Sequence, residues 1–130
     1  MIKVILTLKR KPGMTPEAFR KHYESSHVTE AIKRFGHLMV EYRRNYVTMS
    51  AALSDTDPEN AGRPQPEAYD VVTELYLKDQ AALEEFSRIL NTPEIKQWFV
   101  EDEKRFLDRD ASRMSVVEIV HSRVGALAGA

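Results

Sequence analysis

The chain has 130 residues, 42% of them hydrophobic and 30% charged, which suits one core; we expect one domain over residues 1–122 and a mobile tail at 123–130. Its 19 basic and 20 acidic side chains nearly cancel, and no apolar run approaches the roughly 20 residues of a membrane span, so nucleic-acid and membrane partners are not expected. The absence of cysteine excludes disulfide frameworks and thiolate nucleophiles, and it suits a cytoplasmic protein.

The N-terminal part predicts a strand followed by a helical region. Apolar residues between Ile2 and Leu8 predict the strand, and Thr15 before Pro16 predicts a helix start, because threonine can cap free amides and proline suits the first helical position. One face of this helix carries Ala18, Phe19, His22, Tyr23 and Ser26. The apolar stripe restarts at Val28, and Gly36 is expected to stop the helix in the left-handed conformation.

The remaining elements complete a βαββαβ order. Strands are predicted over 38–48, 69–78 and 114–121, and helices begin after Asp79 and at Thr92-Pro93. This order predicts an α+β, ferredoxin-like fold, in which a four-stranded antiparallel sheet carries helices on one face. The long connection over 49–65 is expected to be a lid, a dimer arm or a disordered segment.

Apolar residues on both faces of several strands predict a homodimer. Val71 lies beside Val72, and Val116 beside Val117, so each pair places one valine on each face of its strand. A partner sheet is the economical way to bury the face without helices.

Two histidines and one aspartate are the candidates for acid–base chemistry. His22 and His27 lie on or beside the inner face of the first helical region, and imidazole exchanges protons near neutral pH. Asp102 interrupts an aromatic stripe, so it needs a hydrogen-bond donor, and His22, His27 and Tyr23 are available. The alternative is that Asp102 accepts hydrogen bonds from a loop backbone and that the histidines are satisfied core residues.

Other side chains are candidates for lining a substrate cavity. Glu74 stands in mid-strand, where glutamate is disfavoured, and tyrosines on the strands could line a cavity beside it. The substrate-binding candidates are His22, Tyr23, Tyr42, Tyr46, Glu74, Tyr76, Trp98 and Phe99, for which core packing is the alternative. The sequence contains no glycine-rich phosphate loop, dinucleotide fingerprint or helical His pair at i, i+4 spacing, so neither a cofactor nor a metal is expected.

Motifs that span nearly the whole chain follow one known order: Lys9-Arg10-Lys11-Pro12-Gly13-Met14-Thr15-Pro16-Glu17-Ala18-Phe19, then Tyr23 and His27, Tyr69-Asp70, Glu74-Leu75, and Asp102-Glu103 with Phe106 and Asp108. This order resembles the EthD family of the dimeric α+β barrel superfamily. The resemblance implies a small dimer with a cavity between sheet and helices in each subunit. It also implies that His27 occupies the position used for proton transfer in similar lactone isomerases.

The residues and the resemblance together predict a small-molecule-binding protein. The first hypothesis is a cofactor-independent acid–base enzyme, of cyclase, isomerase, dehydratase or lyase type, for an aromatic or polyketide-like metabolite in degradation or secondary metabolism. His27 would be the base or acid, and Asp102 would orient it. The alternatives are a non-catalytic accessory or ligand-binding protein, and a cofactor-free monooxygenase or haem-binding protein.

Overall fold

A computed structural model describes residues 1–53 and 66–127 of the chain. Its sheet has four antiparallel strands, β1 (Ile2–Leu8), β2 (Met39–Tyr46), β3 (Val71–Leu77) and β4 (Arg113–Val117), in the spatial order β2-β3-β1-β4. The two strands that are central in the sheet, β1 and β3, are also the most apolar in sequence. The four-stranded antiparallel sheet of the predicted ferredoxin-like fold is therefore confirmed.

The helices begin where the capping residues predict. Helix α1 (Pro16–His22) follows Thr15, whose Oγ1 accepts a hydrogen bond from the Ala18 amide at 3.1 Å. Helix α3 (Gln80–Leu90) follows Asp79, whose Oδ1 accepts from the Ala82 amide at 2.8 Å. Helix α4 (Pro93–Phe106) has proline at its first position, where the missing amide hydrogen has no cost.

The first helical region contains a π-helical turn that connects two α-helices. The turn spans Tyr23–His27 and leads without a break into α2 (Val28–Phe35). The amide of Val28 donates to the Tyr23 carbonyl, five residues earlier. The predicted left-handed stop at Gly36 is wrong, because Gly36 has a φ of −55° and the chain continues into the short 3-10 turn Gly36–Leu38.

Three predicted strands are shorter than expected, and β3 spans Val71–Leu77 rather than 69–78. Strand β2 ends at Tyr46 rather than at residue 48, and β4 ends at Val117 rather than at residue 121. Strand β4 ends early because its partner strand β1 begins at Ile2, and Val117 already lies opposite Lys3. Residues 54–65 of the long connection lie outside the described residues, as do 128–130 of the predicted tail, in which Val124–Leu127 form the short helix α5.

The two faces of the sheet differ in what covers them. Val4, Leu8, Val71 and Leu75 are buried against the helices and belong to two apolar clusters. One cluster contains Phe35, Phe86 and Phe99, and the other contains Phe19, Tyr23 and Phe106. The alternate residues of β1 and β3, including Ile5, Val72 and Tyr76, are only half-buried on the opposite face. The candidate site lies between the two clusters.

Candidate functional site

A cavity of about 400 Å³ lies between the helix-covered face of the sheet and the helices. This volume is within the usual range for small-molecule sites. Its walls are mainly aliphatic and aromatic: Leu6, Leu8, Ala31, Phe35, Met39, Leu75, Phe86, Leu90, Phe99 and Leu107. Polar side chains enter it in two places. Tyr23, His27 and Tyr42 form one group, and another includes Glu103 of α4, Arg109 of the α4–β4 connection and Arg113 at the start of β4.

His27 is held by a buried carboxylate on the neighbouring helix. Nδ1 of His27 lies 3.0 Å from Oδ2 of Asp102, and Asp102 is completely buried. The other carboxylate oxygen, Oδ1, receives hydrogen bonds from Nε2 of His22 at 2.9 Å and from the Ser26 hydroxyl at 3.0 Å. An ionised carboxylate only accepts hydrogen bonds, so each of these imidazole nitrogens is assigned as protonated.

The π-helical turn explains how two histidines reach one carboxylate. His22 and His27 are five residues apart, which would place them on different sides of a regular α-helix. The π turn adds one residue to the helical turn, so positions i and i+5 come round to the same side. Asp102 on α4 lies against this side and accepts from both. The i, i+4 spacing typical of two histidines on one side of an α-helix therefore does not identify His22 and His27 as a pair in the sequence.

Hydrogen bonding keeps Asp102 ionised in spite of its burial. Burial alone would raise the pKa of this carboxyl, because a charge is poorly solvated in the core. The hydrogen bonds from His27, His22 and Ser26 outweigh burial and lower the pKa from 3.8 to about 2. Asp102 therefore carries a negative charge at neutral pH.

The hydrogen bond to Asp102 leaves Nε2 of His27 free. In the part of the chain that the structure describes, Nε2 has no protein partner, and no fully buried side-chain nitrogen or oxygen lacks one. Nε2 is therefore accessible to small molecules, although the His27 side chain as a whole is only 12% exposed. With Nδ1 protonated, Nε2 carries the lone pair of a neutral imidazole and can act as a base.

Two tyrosines, Tyr23 and Tyr42, line the cavity together with His27. The Tyr23 hydroxyl lies 2.6 Å from Oγ1 of the buried Thr73, and the rings of Tyr23 and His27 are 5.9 Å apart. Burial raises the pKa of both Tyr23 and Tyr42. Both hydroxyls therefore stay protonated at neutral pH.

Comparison with known families identifies the chain. The model of the EthD domain matches residues 11–110. The chain belongs to the EthD family. No curated protein matches it. The match includes α1, the π turn and α4, so the EthD domain contains His22, His27 and Asp102.

Solved structures support the fold of this EthD protein. An EthD family protein from Bacillus halodurans is 18% identical, with 92% of this chain and 100% of that chain covered and a TM-score of 0.60. HapK from Hahella chejuensis is 15% identical, with coverages of 94% and 95% and a TM-score of 0.55. A hypothetical Arabidopsis thaliana protein is 15% identical, with coverages of 93% and 89% and a TM-score of 0.53. The α+β, ferredoxin-like fold is confirmed.

The remaining candidate residues occupy different positions in the EthD domain. Phe99 lines the cavity, whereas Trp98 is half-buried outside it, with its ring 6.4 Å from that of His27. His22 lies outside the lining and is 25% exposed. Tyr46 donates to Glu24 at 2.6 Å and stacks under Arg20, in a separate surface depression.

The structure corrects the expectation that Glu74 and Tyr76 line the same cavity as Tyr42. Strand residues alternate between faces, and Thr73 and Leu75 face the helices. Glu74 and Tyr76 therefore lie on the opposite face of the sheet, where Glu74 forms an ion pair with Lys3 at 2.7 Å. This ion pair explains why a glutamate is tolerated in mid-strand.

Several residues of the site were absent from the sequence-based candidates. Ser26 shares Asp102 with the histidines, and Thr73 holds the Tyr23 hydroxyl. Thr73 alternates with buried Val71 and Leu75, which could have indicated a buried polar position. Arg109 and Glu103, at the cavity, form an ion pair at 3.1 Å that no local pattern signals.

Within residues 1–53 and 66–127, no group of three or more His, Cys, Asp or Glu side chains is arranged to hold a metal ion. None of the helices described has the length and apolar composition needed to cross a membrane.

Proposed function

We propose that this EthD-family protein binds a small aromatic or otherwise apolar metabolite in the cavity and acts on it as a cofactor-independent acid–base enzyme in the cytoplasm. One observation carries the proposal. His27 has one nitrogen fixed by a buried carboxylate and the other free beside an apolar cavity of about 400 Å³. The reaction would be proton transfer at an activated carbon acid or lactone, as in a cyclase, isomerase, dehydratase or lyase.

Each polar group near the cavity has a role in this reaction. Nε2 of His27 takes a proton from the substrate and returns it to another position, while Asp102 fixes the tautomer and stabilises the imidazolium. The hydroxyls of Tyr23 and Tyr42 donate to the oxygen on which negative charge develops. The apolar walls strengthen these interactions because they exclude water.

Ligand binding and turnover by the His27→Gln variant test the proposal. We expect at least one compound from a panel of small aromatic acids and lactones to shift the NMR signals of cavity residues such as Leu75 and Phe99. The variant should keep this binding but lose about 10²- to 10⁴-fold in turnover, because glutamine cannot exchange a proton. The matched control is His37→Gln, which replaces an exposed histidine outside the cavity.

The same experiment, together with a haem titration, separates the alternatives. Binding in the cavity without any product from the purified protein would support a non-catalytic accessory protein. A Soret band after haem titration, lost in His27→Gln, would support haem binding. Signals that shift only outside the cavity, or full turnover by His27→Gln, would contradict the proposal.

We also propose a homodimer in which the sheets pack face to face as an α+β barrel. The face opposite the helices carries Ile5, Val72 and Tyr76, all half-buried, around the Lys3–Glu74 ion pair. An apolar face with internally paired charges suits a protein partner, because burying it leaves no isolated charge.

The mass of the protein in solution tests the dimer. Light scattering at micromolar concentration should give twice the chain mass of 14.9 kDa. Val72→Asp should lower this to the mass of one chain, because it places an unpaired charge in the proposed interface. The matched control, Val116→Asp, lies on the helix side of the sheet and should stay dimeric, since Val116 lies opposite Val4. A wild-type mass of one chain would contradict the dimer.

A further inference from the structure

The buried carboxylate connects a histidine in the cavity to a histidine outside it. His27 lines the cavity, and His22 does not. Asp102 lies between them, with Oδ2 toward Nδ1 of His27 and Oδ1 toward Nε2 of His22. The His22 side chain is twice as exposed as that of His27, at 25% against 12%. The three groups therefore span the wall that separates the cavity from the outside.

The charge of this cluster favours one additional proton. Asp102 supplies one negative charge, which a proton on either imidazole neutralises. Protons on both imidazoles would leave an uncompensated positive charge around a buried group, and the Arg105 guanidinium already lies 3.5 Å from Oδ1. Of the two imidazoles, that of His22 is the more exposed, so water can solvate a positive charge better there than on His27.

We propose that His22 is a positioning residue whose protonation is coupled to that of His27 through Asp102, so that His22 releases a proton outside the cavity when His27 takes one up inside it. This inference rests on the proposed role of His27 as a base. His22 itself does not contact the cavity, so it would act through Asp102 and not on the substrate.

The proton balance of the step is simple. A C–H bond of the substrate breaks, its electron pair stays on the substrate, and the proton joins Nε2 of His27. The His22 imidazolium gives a proton from Nδ1 to water and keeps its Nε2–H bonded to Asp102. The cluster starts and ends with one negative and one positive charge. The reverse transfers occur when the substrate is reprotonated.

Several other ionisable groups lie around the cavity or the His27–Asp102 pair. Tyr23 and Tyr42 remain protonated, as their raised pKa values require. Glu103 and Arg109 compensate each other at 3.1 Å, and Arg105 is largely exposed. The remaining charged groups at the cavity are Asp110 and Arg113. The strongest coupling available to His27 is therefore the one through Asp102.

NMR titration of the histidine side chains in the ligand-free protein tests this inference. In the wild type, we expect the His27 signals to show a second inflection where His22 titrates. In His22→Gln, whose amide can still donate to Asp102, the His27 midpoint should rise by about one pH unit, the size expected for strongly coupled groups. His37→Gln is the control and should leave the His27 curve unchanged.

Two results would overturn the inference. One is a His27 midpoint in His22→Gln within about 0.2 pH units of the wild type, a difference too small for coupled groups. The other result would come from the wild type alone, if the titration curves of His22 and His27 each showed a single step and were independent of each other. The titration uses no ligand, so its outcome is separate from that of the binding and turnover experiment.

Discussion

Asp102→Asn is expected to lower turnover by about two to four orders of magnitude and the free energy of unfolding by about 2 kcal/mol at pH 7. Asparagine preserves the shape of the side chain but replaces one accepting oxygen with a donating NH₂ group. That group would face an N–H of His22 or His27, so one imidazole must change its tautomer or turn away. Either change removes the fixed Nε2 lone pair on which the proposed chemistry depends.

Urea denaturation and turnover measurements check this expectation. The matched control is Glu101→Gln on the same helix, whose exposed side chain accepts a hydrogen bond from Gln97 at 3.0 Å. It should change the free energy of unfolding by less than about 0.5 kcal/mol. An Asp102→Asn variant with wild-type stability and turnover would show that neither the carboxylate charge nor the histidine tautomer matters.

The pH dependence of unfolding tests the stabilising contribution of Asp102 independently. Hydrogen bonding lowers the pKa of Asp102 from 3.8 to about 2 in the folded state, against the opposing effect of burial. A group with a lowered folded-state pKa stabilises the fold above its unfolded pKa, and this contribution is lost as the pH falls through its folded pKa. About 2 kcal/mol should therefore be lost between pH 4 and pH 2, and Asp102→Asn should lack this part of the decline.

The fold could be predicted from the sequence because its signals are local. Thr15 and Asp79 cap the helices that follow them, and the alternation in β3 is visible in the sequence. The errors arose where a neighbouring element decides the outcome. The end of β4 depends on where β1 begins, and the backbone at Gly36 depends on the 3-10 turn that follows.

The site was only partly accessible to sequence reasoning. Asp102 was identified because a carboxylate in an aromatic stripe needs partners, and the structure supplies His22 and His27. Their simultaneous approach depends on a π turn, which has no reliable local signature. Glu74 and Tyr76 were expected to line the cavity but lie on the opposite face of the sheet. The sequence does not state which face of a strand meets the helices.

Phe106→Ala is expected to have the largest effect on stability, about 3 to 5 kcal/mol of unfolding free energy. Phe106 is fully buried at the end of α4, and its ring lies 5.6 Å from those of Phe19 and Tyr23. It also lies 5.0 Å from the ring of His22 and 5.2 Å from that of His27. Alanine would leave a cavity beneath both histidines.

Urea denaturation combined with the histidine NMR signals can separate loss of packing from loss of the site. The control is Ile32→Ala on α2, whose side chain is largely exposed and should cost less than about 0.5 kcal/mol. If Phe106 supports the histidines, the variant should also lose the slowly exchanging imidazole N–H signals at temperatures where it remains folded. A variant within about 1 kcal/mol of the wild type, with those signals intact, would mean that Asp102 alone holds His22 and His27 in place.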